Sequence, residues 1–290
     1  MAAHREDGRW LLGQLDKLAA IYTGAVVAYL PLNAYMGDLA RLTPGTLARA
    51  LIFDGTFYHL WYLPAVLLGL PLTWALLRKT GMRGTTIAAA ALYAVGLLGD
   101  SYFGLIAGTP LEAVYGGMFQ CFRYTRNGLF FAPIFLALGA ALRGSGLSAA
   151  LNRMRTSGLA AGLAASLALM AAEVLALRGA GWMRHDSMYV MLLPTMAFLF
   201  ALLLRVNGPG RRRWRSLTLW IYLVHPWAIV LVRGAAKLVR LQAWLIENSV
   251  GHFLSVAALS VALALAIEWA RERYGRRSGG RLARRLGRRG

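Results

Sequence analysis

Residues Ser157–Leu177, SGLAAGLAASLALMAAEVLAL, decide the fold class because they form a long apolar run with a single charged residue, Glu173. As an α-helix, roughly 20 apolar residues are long enough to cross the ~30 Å hydrocarbon core of a bilayer. Lipid offers no hydrogen-bond partner to a backbone, so a run in that environment must be helical. The stretch therefore predicts a transmembrane helix.

The whole chain repeats this pattern. Hydrophobic residues make up 58% of the 290 residues, and the mean hydropathy is +0.51. A soluble domain of this composition would leave large apolar patches exposed. We therefore predict an all-α polytopic bundle with about eight spans. The predicted spans are Leu18–Met36, Thr56–Leu77, Thr85–Ala107, Asn127–Leu142, Ser157–Leu177, Ser187–Leu204, Ser216–Val232 and Val250–Ile267.

The fourth of these spans has an alternative interpretation. Asn127–Leu142 is short for a span and contains Pro133, so a re-entrant or kinked segment is the other prediction there.

Basic residues alternate between the connections, which predicts the orientation of the chain. The net charge of +20 would suggest nucleic acid for a soluble protein, but its placement follows the positive-inside rule. The basic connections carry Arg78, Lys79 and Arg83; Arg143, Arg153 and Arg155; and Arg205, Arg211, Arg212, Arg213 and Arg215. Nine arginines follow from Arg271 to Arg289. We predict both termini in the cytoplasm, a multi-pass protein of the cell inner or plasma membrane, and no nucleic-acid partner.

The domain organisation is predicted to be simple. We expect a cytoplasmic N-terminal segment over residues 1–17, a transmembrane domain over 18–270 and a basic cytoplasmic tail over 271–290. Cys121 is the single cysteine, so an intrachain disulfide and a multi-cysteine metal site are excluded. The sequence has no phosphate-binding or dinucleotide-binding glycine motif, and we predict no metal site and no resident cofactor.

Ionisable residues within the spans are the candidate functional residues, because burying them in lipid is costly. With the predicted orientation, they gather toward the extracytoplasmic side. His59, Asp100, Glu173 and His252 lie in the outer parts of their spans, and His225 lies near mid-membrane. Asp54, Arg126, His185 and Asp186 border the same outer side.

Each candidate also has an architectural interpretation. His225 precedes Pro226 and could cap the kink that the proline causes. Asp100 is expected to pair with Arg126 across a helix interface, and Glu173 to reach the outer headgroups. The remaining candidates, His185, Asp186 and His252, are expected to be solvated loop or interfacial residues.

Four motifs in order along the chain carry a resemblance to a known family. They are FDGTFYHLWYLPA at 53–65, LLGDSYFGLI at 97–106, YTRNGLFFAPIFLALG at 124–139 and YLVHPW at 222–227. Together they resemble the acyltransferase family 3 membrane proteins, especially the membrane half of the membrane-bound serine racemases of vancomycin-resistance clusters. The resemblance runs from about Leu18 to Trp269.

The resemblance implies a ten-helix fold that moves an acyl group, often acetyl from acyl-CoA, onto an extracytoplasmic hydroxyl acceptor such as a cell-envelope glycan. Two family features have no counterpart here: an arginine-and-histidine motif on the first helix, and a Ser-Gly-Phe type motif on the second. We therefore expect the chain to be short by about two N-terminal helices. Racemisation is not expected, because no pyridoxal-phosphate domain or cofactor lysine motif is recognisable.

The implied site follows from the matched motifs. His59 and His225 are the candidate catalytic residues, and acyl-CoA is the expected co-substrate alongside membrane lipid and the glycan acceptor as partners. The expected substrate-binding residues are Asp54, Trp61, Tyr62, Asp100, Arg126, Asn127 and Tyr222. A histidine would deprotonate the acceptor, and Arg126 or backbone donors would stabilise the oxyanion.

Two other functions remain open at this point. The chain could be a non-catalytic membrane module that binds or admits an amino acid such as serine. It could also be a truncated remnant, or the product of a misassigned start codon, with no activity in this form. Enzyme activity, if present, would be that of an acyltransferase that transfers groups other than amino-acyl groups.

Overall fold

The computed structural model describes residues 8–144, 146–206 and 211–286, and over these ranges the chain is helical, with no β-strand. The prediction of an all-α protein is confirmed for them. The chain divides into two compact units, Met1–Val206 and Asn207–Gly290. Predictions for residues 1–7 and for the last arginines, Arg288 and Arg289, lie outside the described residues.

The first unit contains eight α-helices in its described part. They are α1 Gly8–Tyr35, α2 Pro44–Arg49, α3 Tyr62–Leu98, α4 Pro110–Cys121, α5 Ala132–Ala141, α6 Gly146–Arg153, α7 Thr156–Gly179 and α8 Leu192–Arg205. Short 3-10 turns at Asp38–Arg41 and Phe103–Leu105 and a π-helical turn at Ala50–Asp54 lie in the connections.

Helix α3 reverses direction at Gly81, whose φ of 65° and ψ of −172° are not helical. A Cβ on Gly69, in the first half, would lie 2.6 Å from the Cβ of Ala132, and a Cβ on Gly96, in the second half, would lie 3.0 Å from the Cβ of Phe130. In one straight helix these glycines would be about 40 Å apart at 1.5 Å per residue. Ala132 begins α5 and Phe130 lies two residues before it, so the two halves of α3 lie side by side, as two predicted spans require.

Helix α5 differs from the predicted fourth span. It has 10 residues, and its axis meets that of α6 at 64°, as in a broken span or a re-entrant segment. This is the alternative that Pro133 and the short apolar run predicted. The sequence analysis had no helix at α4, which lies in a predicted connection; Thr109, Pro110 and Glu112 form its first turn, a sequence pattern typical of a helix start.

The second unit consists of α9 Arg211–Leu238, a π-helical turn at Ala243–Glu247 and α10 Ser249–Leu286. The two long helices are joined through Glu268. Its carboxylate accepts hydrogen bonds from the Ser216 hydroxyl and, at 3.1 Å, from the Trp220 indole nitrogen. Arg271 pairs with the same carboxylate at 3.7 Å.

Five helical segments of the described residues are long and apolar enough to cross a membrane, or six if the bent pair of α5 and α6 forms one span. They are Gly8–Tyr35, Tyr62–Leu98, Thr156–Gly179, Ser216–Leu238 and Ser249–Arg273. The predicted total of eight is larger partly because α3 contains two predicted spans. Helix α8, with 14 residues, is apolar but shorter than these five.

Candidate functional site

Polar side chains of the first unit gather where four connections meet: residues 50–61, 99–109, 122–131 and 180–191. Backbone hydrogen bonds join the 99–109 and 180–191 connections, from the amide of Gly104 to the carbonyl of Trp182 at 2.8 Å and from the amide of Arg184 to the carbonyl of Asp100 at 3.1 Å. Side-chain hydrogen bonds join the 122–131 connection to 50–61 and to 180–191. Gly104 is needed for this approach because a Cβ there would lie 2.4 Å from the indole of Trp182. The connections therefore form one polar region.

Asp100 is fully buried and anchors this region. Its Oδ1 accepts hydrogen bonds from the amides of Ser187 at 2.8 Å and Met188 at 3.0 Å, and from the Ser101 hydroxyl at 3.0 Å. Its Oδ2 is buried and has no hydrogen-bond partner. The predicted ion pair with Arg126 is wrong. None of the ion pairs of the described residues includes Asp100, and Arg126 donates to the Ser187 hydroxyl instead.

Arg126 lies between two aromatic rings. Its guanidinium carbon is 4.5 Å from the ring centre of Tyr124 and 5.1 Å from that of Trp61, a geometry in which the ring faces attract the cation. Its Nη1 donates to the Ser187 hydroxyl at 3.0 Å. Its Nε is buried with no hydrogen-bond partner. The side chain thus retains a donor with no protein acceptor.

His185 lies on the same aromatic ring as Arg126. Its imidazole is 4.5 Å from the ring centre of Tyr124, and its Nε2 is buried with no hydrogen-bond partner. Burial lowers the pKa of His185 below its ordinary value, the cationic Arg184 lowers it further, and Asp100 opposes both. The imidazole is therefore neutral at pH 7. His185 lies in a connection, as predicted, and its side chain is half-buried there.

His59 is in a different environment within the same unit. Only 6% of it is exposed, and the ring centres of Tyr29, Phe57 and Tyr58 lie 4.9, 5.7 and 5.5 Å away. By contrast, the neighbouring Tyr62 is 50% exposed. His59 is thus part of an aromatic cluster.

Asp54 and Asn127 hold the 122–131 connection in place. The Asp54 carboxylate accepts the amide of Arg123 at 3.0 Å and pairs with Arg49 at 3.3 Å. Burial raises the pKa of Asp54 above its ordinary value, against the opposing effects of that amide and of Arg49. The Asn127 amide donates to the carbonyl of Tyr124 and accepts from two amides that follow it. Both predicted substrate-binding residues thus hold the connection that carries Arg126.

Glu173 was predicted to reach the outer headgroups, but its carboxylate binds groups of the protein instead. It accepts hydrogen bonds from the Tyr102 hydroxyl at 2.6 Å and from the amides of Val190 at 2.6 Å and Met191 at 2.9 Å. These amides directly precede α8, where a carboxylate also complements the helix dipole. The acid therefore ties α7 to the start of α8.

His225 and Tyr222 belong to the second unit. The Nδ1 of His225 is 2.9 Å from the carbonyl oxygen of Tyr222, the carbonyl that Pro226 deprives of its usual helical donor. This contact matches the architectural interpretation of His225. His252, also in this unit, makes a similar contact at 2.7 Å with the carbonyl of Leu245.

The structure thus brings together Asp54, Trp61, Asp100, Arg126 and Asn127 through their connections. The sequence analysis missed four residues of the same region: Arg123, Tyr124, Arg184 and Ser187. The run RYTR at 123–126, two arginines around a tyrosine, is the sequence signal that could have found the first two.

Helices of this length and apolarity, with polar connections gathered at one place, define a polytopic helical membrane protein. The chain belongs to acyltransferase family 3, because the family model described as an acyltransferase domain matches residues 1–269. The resemblance of the four motifs is confirmed.

The curated relatives that match this chain are named as racemases. An amino-acid racemase of Enterococcus faecalis is 38% identical over 257 residues, which are 87% of this chain and 35% of that protein. A serine/alanine racemase of Enterococcus gallinarum is 35% identical over 251 residues, 85% of this chain and 34% of that protein. The chain thus spans about a third of the length of these relatives. No solved structure matches it.

Proposed function

We propose that the protein is an integral membrane O-acyltransferase that transfers an acyl group, such as acetyl from acyl-CoA, to a hydroxyl group of an extracytoplasmic acceptor such as a cell-envelope glycan. The match of the acyltransferase domain model to residues 1–269 carries this proposal. The first unit supports it, because its polar region combines a cationic donor, Arg126, with the half-buried imidazole of His185, and the buried His59 lies in the same unit.

The chemistry needs a base and an oxyanion stabiliser. The acceptor hydroxyl oxygen attacks the thioester carbonyl carbon, and its proton passes to a histidine, for which His59 and His225 are the candidates. Arg126 or backbone amides stabilise the oxyanion. When the carbon–sulfur bond breaks, the thiolate takes up the proton from the histidine.

The proposed topology extends the observed helices. Eight spans follow if the two halves of α3, the α5–α6 pair and α8 each cross the membrane. Both termini are then cytoplasmic in the cell inner or plasma membrane, with residues 1–17 and 271–290 as segments flanking the membrane domain. Reporter fusions after Arg83 and after Arg155 should be cytoplasmic, and fusions after Glu112 and after Asp186 extracytoplasmic.

A transfer assay tests the activity. Purified protein in nanodiscs is supplied with radiolabelled acetyl-CoA and a cell-envelope glycan fraction, and acetylated glycan and free CoA are measured. We expect acetylated glycan and free CoA from wild type. The variant that lacks the catalytic base, His59→Ala or His225→Ala, should form at least about a hundredfold less, as is typical for loss of general-base catalysis. If wild type formed no acetyl-CoA-dependent product, the proposed acyltransferase activity would be refuted.

A second candidate is a non-catalytic module that binds or admits an amino acid such as serine. The names of the curated relatives favour it, since both concern amino acids. Uptake of radiolabelled serine and alanine into proteoliposomes separates the two functions. Uptake without acyl transfer would favour the module, and transfer without uptake the enzyme.

A further inference from the structure

Three arginines of the first unit surround Tyr124 and its neighbours, and we call them the arginine cluster: Arg123, Arg126 and Arg184. The guanidinium carbons of Arg123 and Arg126 lie 5.5 and 4.5 Å from the ring centre of Tyr124. Arg184 donates from Nη1 to the carbonyl of Arg123 at 3.1 Å and lies 3.6 Å from the ring centre of Phe119. Aromatic faces thus hold three cations close together.

The arginine cluster has no carboxylate partner. The described residues contain three ion pairs, Arg49–Asp54, Arg178–Asp186 and Arg271–Glu268, and none includes a member of the cluster. Asp54 and Asp100 are the nearby acids. Asp54 accepts the backbone amide of Arg123 and pairs with Arg49 at 3.3 Å, and Asp100 is fully buried with Oδ1 accepting two backbone amides. Arg123 and Arg126 lie within about a Debye length, ~10 Å, of each other, so their charges repel.

Besides Asp100 Oδ2, two buried polar atoms of this region that can donate or accept a hydrogen bond have no partner in the protein. They are the Nε of Arg126 and the Nε2 of His185, both beside Tyr124. Buried polar atoms are normally hydrogen-bonded, so such atoms at one place indicate a ligand. Guanidinium groups bind carboxylates and phosphates with paired, charge-assisted hydrogen bonds.

We propose that the arginine cluster, with His185, forms a binding site for an oxyanionic group, a carboxylate or a phosphate, of the protein's substrate. The anion would satisfy Arg126 and offset the repulsion among the arginines. Arg123 is exposed and Arg184 half-exposed, so the group can enter from the aqueous side of the connections. That this group belongs to the acyl acceptor rests on the proposed function.

A binding experiment without acyl-CoA tests the site by itself. Protein in phosphatidylcholine nanodiscs is titrated with inorganic phosphate and with acetate by calorimetry. The variants are Arg123→Gln and Arg184→Gln. Arg178→Gln is the matched control, because it removes the same charge from the same side of the unit, where Arg178 pairs with Asp186 at 3.3 Å.

We expect saturable binding of at least one probe to wild type and to Arg178→Gln. Loss of one charge-assisted contact should weaken it about tenfold or more in the two cluster variants. No saturable binding of either probe to wild type, or equal weakening in all three variants, would overturn the proposal. Because acyl-CoA is absent, failure of acyl transfer leaves this result intact, and the two failures are distinguishable.

Arginine labelling serves if a cluster variant does not fold. Wild type is treated with phenylglyoxal, with and without phosphate, and the modified peptides are quantified by mass spectrometry. Phosphate at about ten times its Kd should slow labelling of Arg123 and Arg184 by about tenfold, while labelling of Arg178 is unchanged. If phosphate slowed labelling of all three arginines equally, or of none, the proposed site would be contradicted.

A lipid arm identifies the source of the anion. Nanodiscs that contain phosphatidylglycerol present phosphate as a headgroup. If they protect Arg123 and Arg184 in the absence of free phosphate, the oxyanion is that of a lipid. If only dissolved phosphate or acetate protects them, it belongs to a water-soluble group.

Discussion

His59 and His185 lie in the same unit but in opposite environments. Three aromatic rings surround His59, which is 6% exposed. One ring and several charged groups surround His185, and its Nε2 is buried without a partner. The motif at 53–65 identified His59 as a candidate, whereas His185 lies outside all four motifs. A motif identifies what a family shares, whereas charge and hydrogen bonding determine what a side chain can do.

Truncation of His59 should have the largest effect on stability. His59→Ala removes a ring from a packed aromatic cluster, and we expect a loss of about 3 kcal/mol of unfolding free energy. SDS-induced unfolding in mixed micelles measures it. A loss below about 1 kcal/mol would show that the cluster does not depend on this ring.

His59→Phe separates packing from chemistry and so tests the comparison directly. A phenyl ring keeps the aromatic contacts but has no nitrogen to accept a proton. If His59 is the base, this variant should fold with a loss of less than about 1.5 kcal/mol and still lose acyl transfer. Full activity in His59→Phe would leave His59 a packing residue.

Asp100 supports the connection that carries His185, and its loss should have the next largest effect. Asp100→Ala leaves the amides of Ser187 and Met188 without their acceptor, and we expect a loss of about 2 kcal/mol. Asp100→Asn keeps one carbonyl oxygen and should lose about half as much. Unfolding of the two variants is compared in the same micelles, and equal losses would contradict the role of the two amides.

The third histidine, His225, contacts the Tyr222 carbonyl, which lacks a helical donor because Pro226 has no amide hydrogen. Pro226→Ala restores a helical donor for the Tyr222 carbonyl, so it should reduce the cost of His225→Ala by about 1 kcal/mol. A double-mutant cycle measures this coupling. Additive effects would show that the histidine does not substitute for the missing amide.

Sequence reasoning succeeded where a long apolar run sets the answer. The run Ser157–Leu177, bounded by Arg155 and Arg178, became α7 with its ends one and two residues away, at Thr156 and Gly179. Sequence reasoning failed where the hydrogen-bond partners of a side chain are distant in the chain. Nothing in the sequence shows that backbone amides 87 and 88 residues away would occupy Asp100, the acid expected to pair with Arg126.

The smallest expected effect concerns pH and tests the neutral state of His185. The pKa of His185 is lower in the folded protein than its ordinary value of about 6.5, so below that pH the unfolded chain binds more protons than the folded one. Stability should therefore be fully present above pH 6.5 and fall as the pH drops toward the folded pKa. His185→Gln should flatten this part of the profile.

The effect is small because His185 is half-exposed and water screens the charges around it. Unfolding midpoints of wild type and His185→Gln between pH 5 and 8 measure the difference, and carboxylates common to both cancel in it. An anion in the arginine cluster would favour the protonated imidazole, so phosphate should weaken the pH dependence in wild type alone. The same phosphate effect in His185→Gln would place the bound anion away from the imidazole.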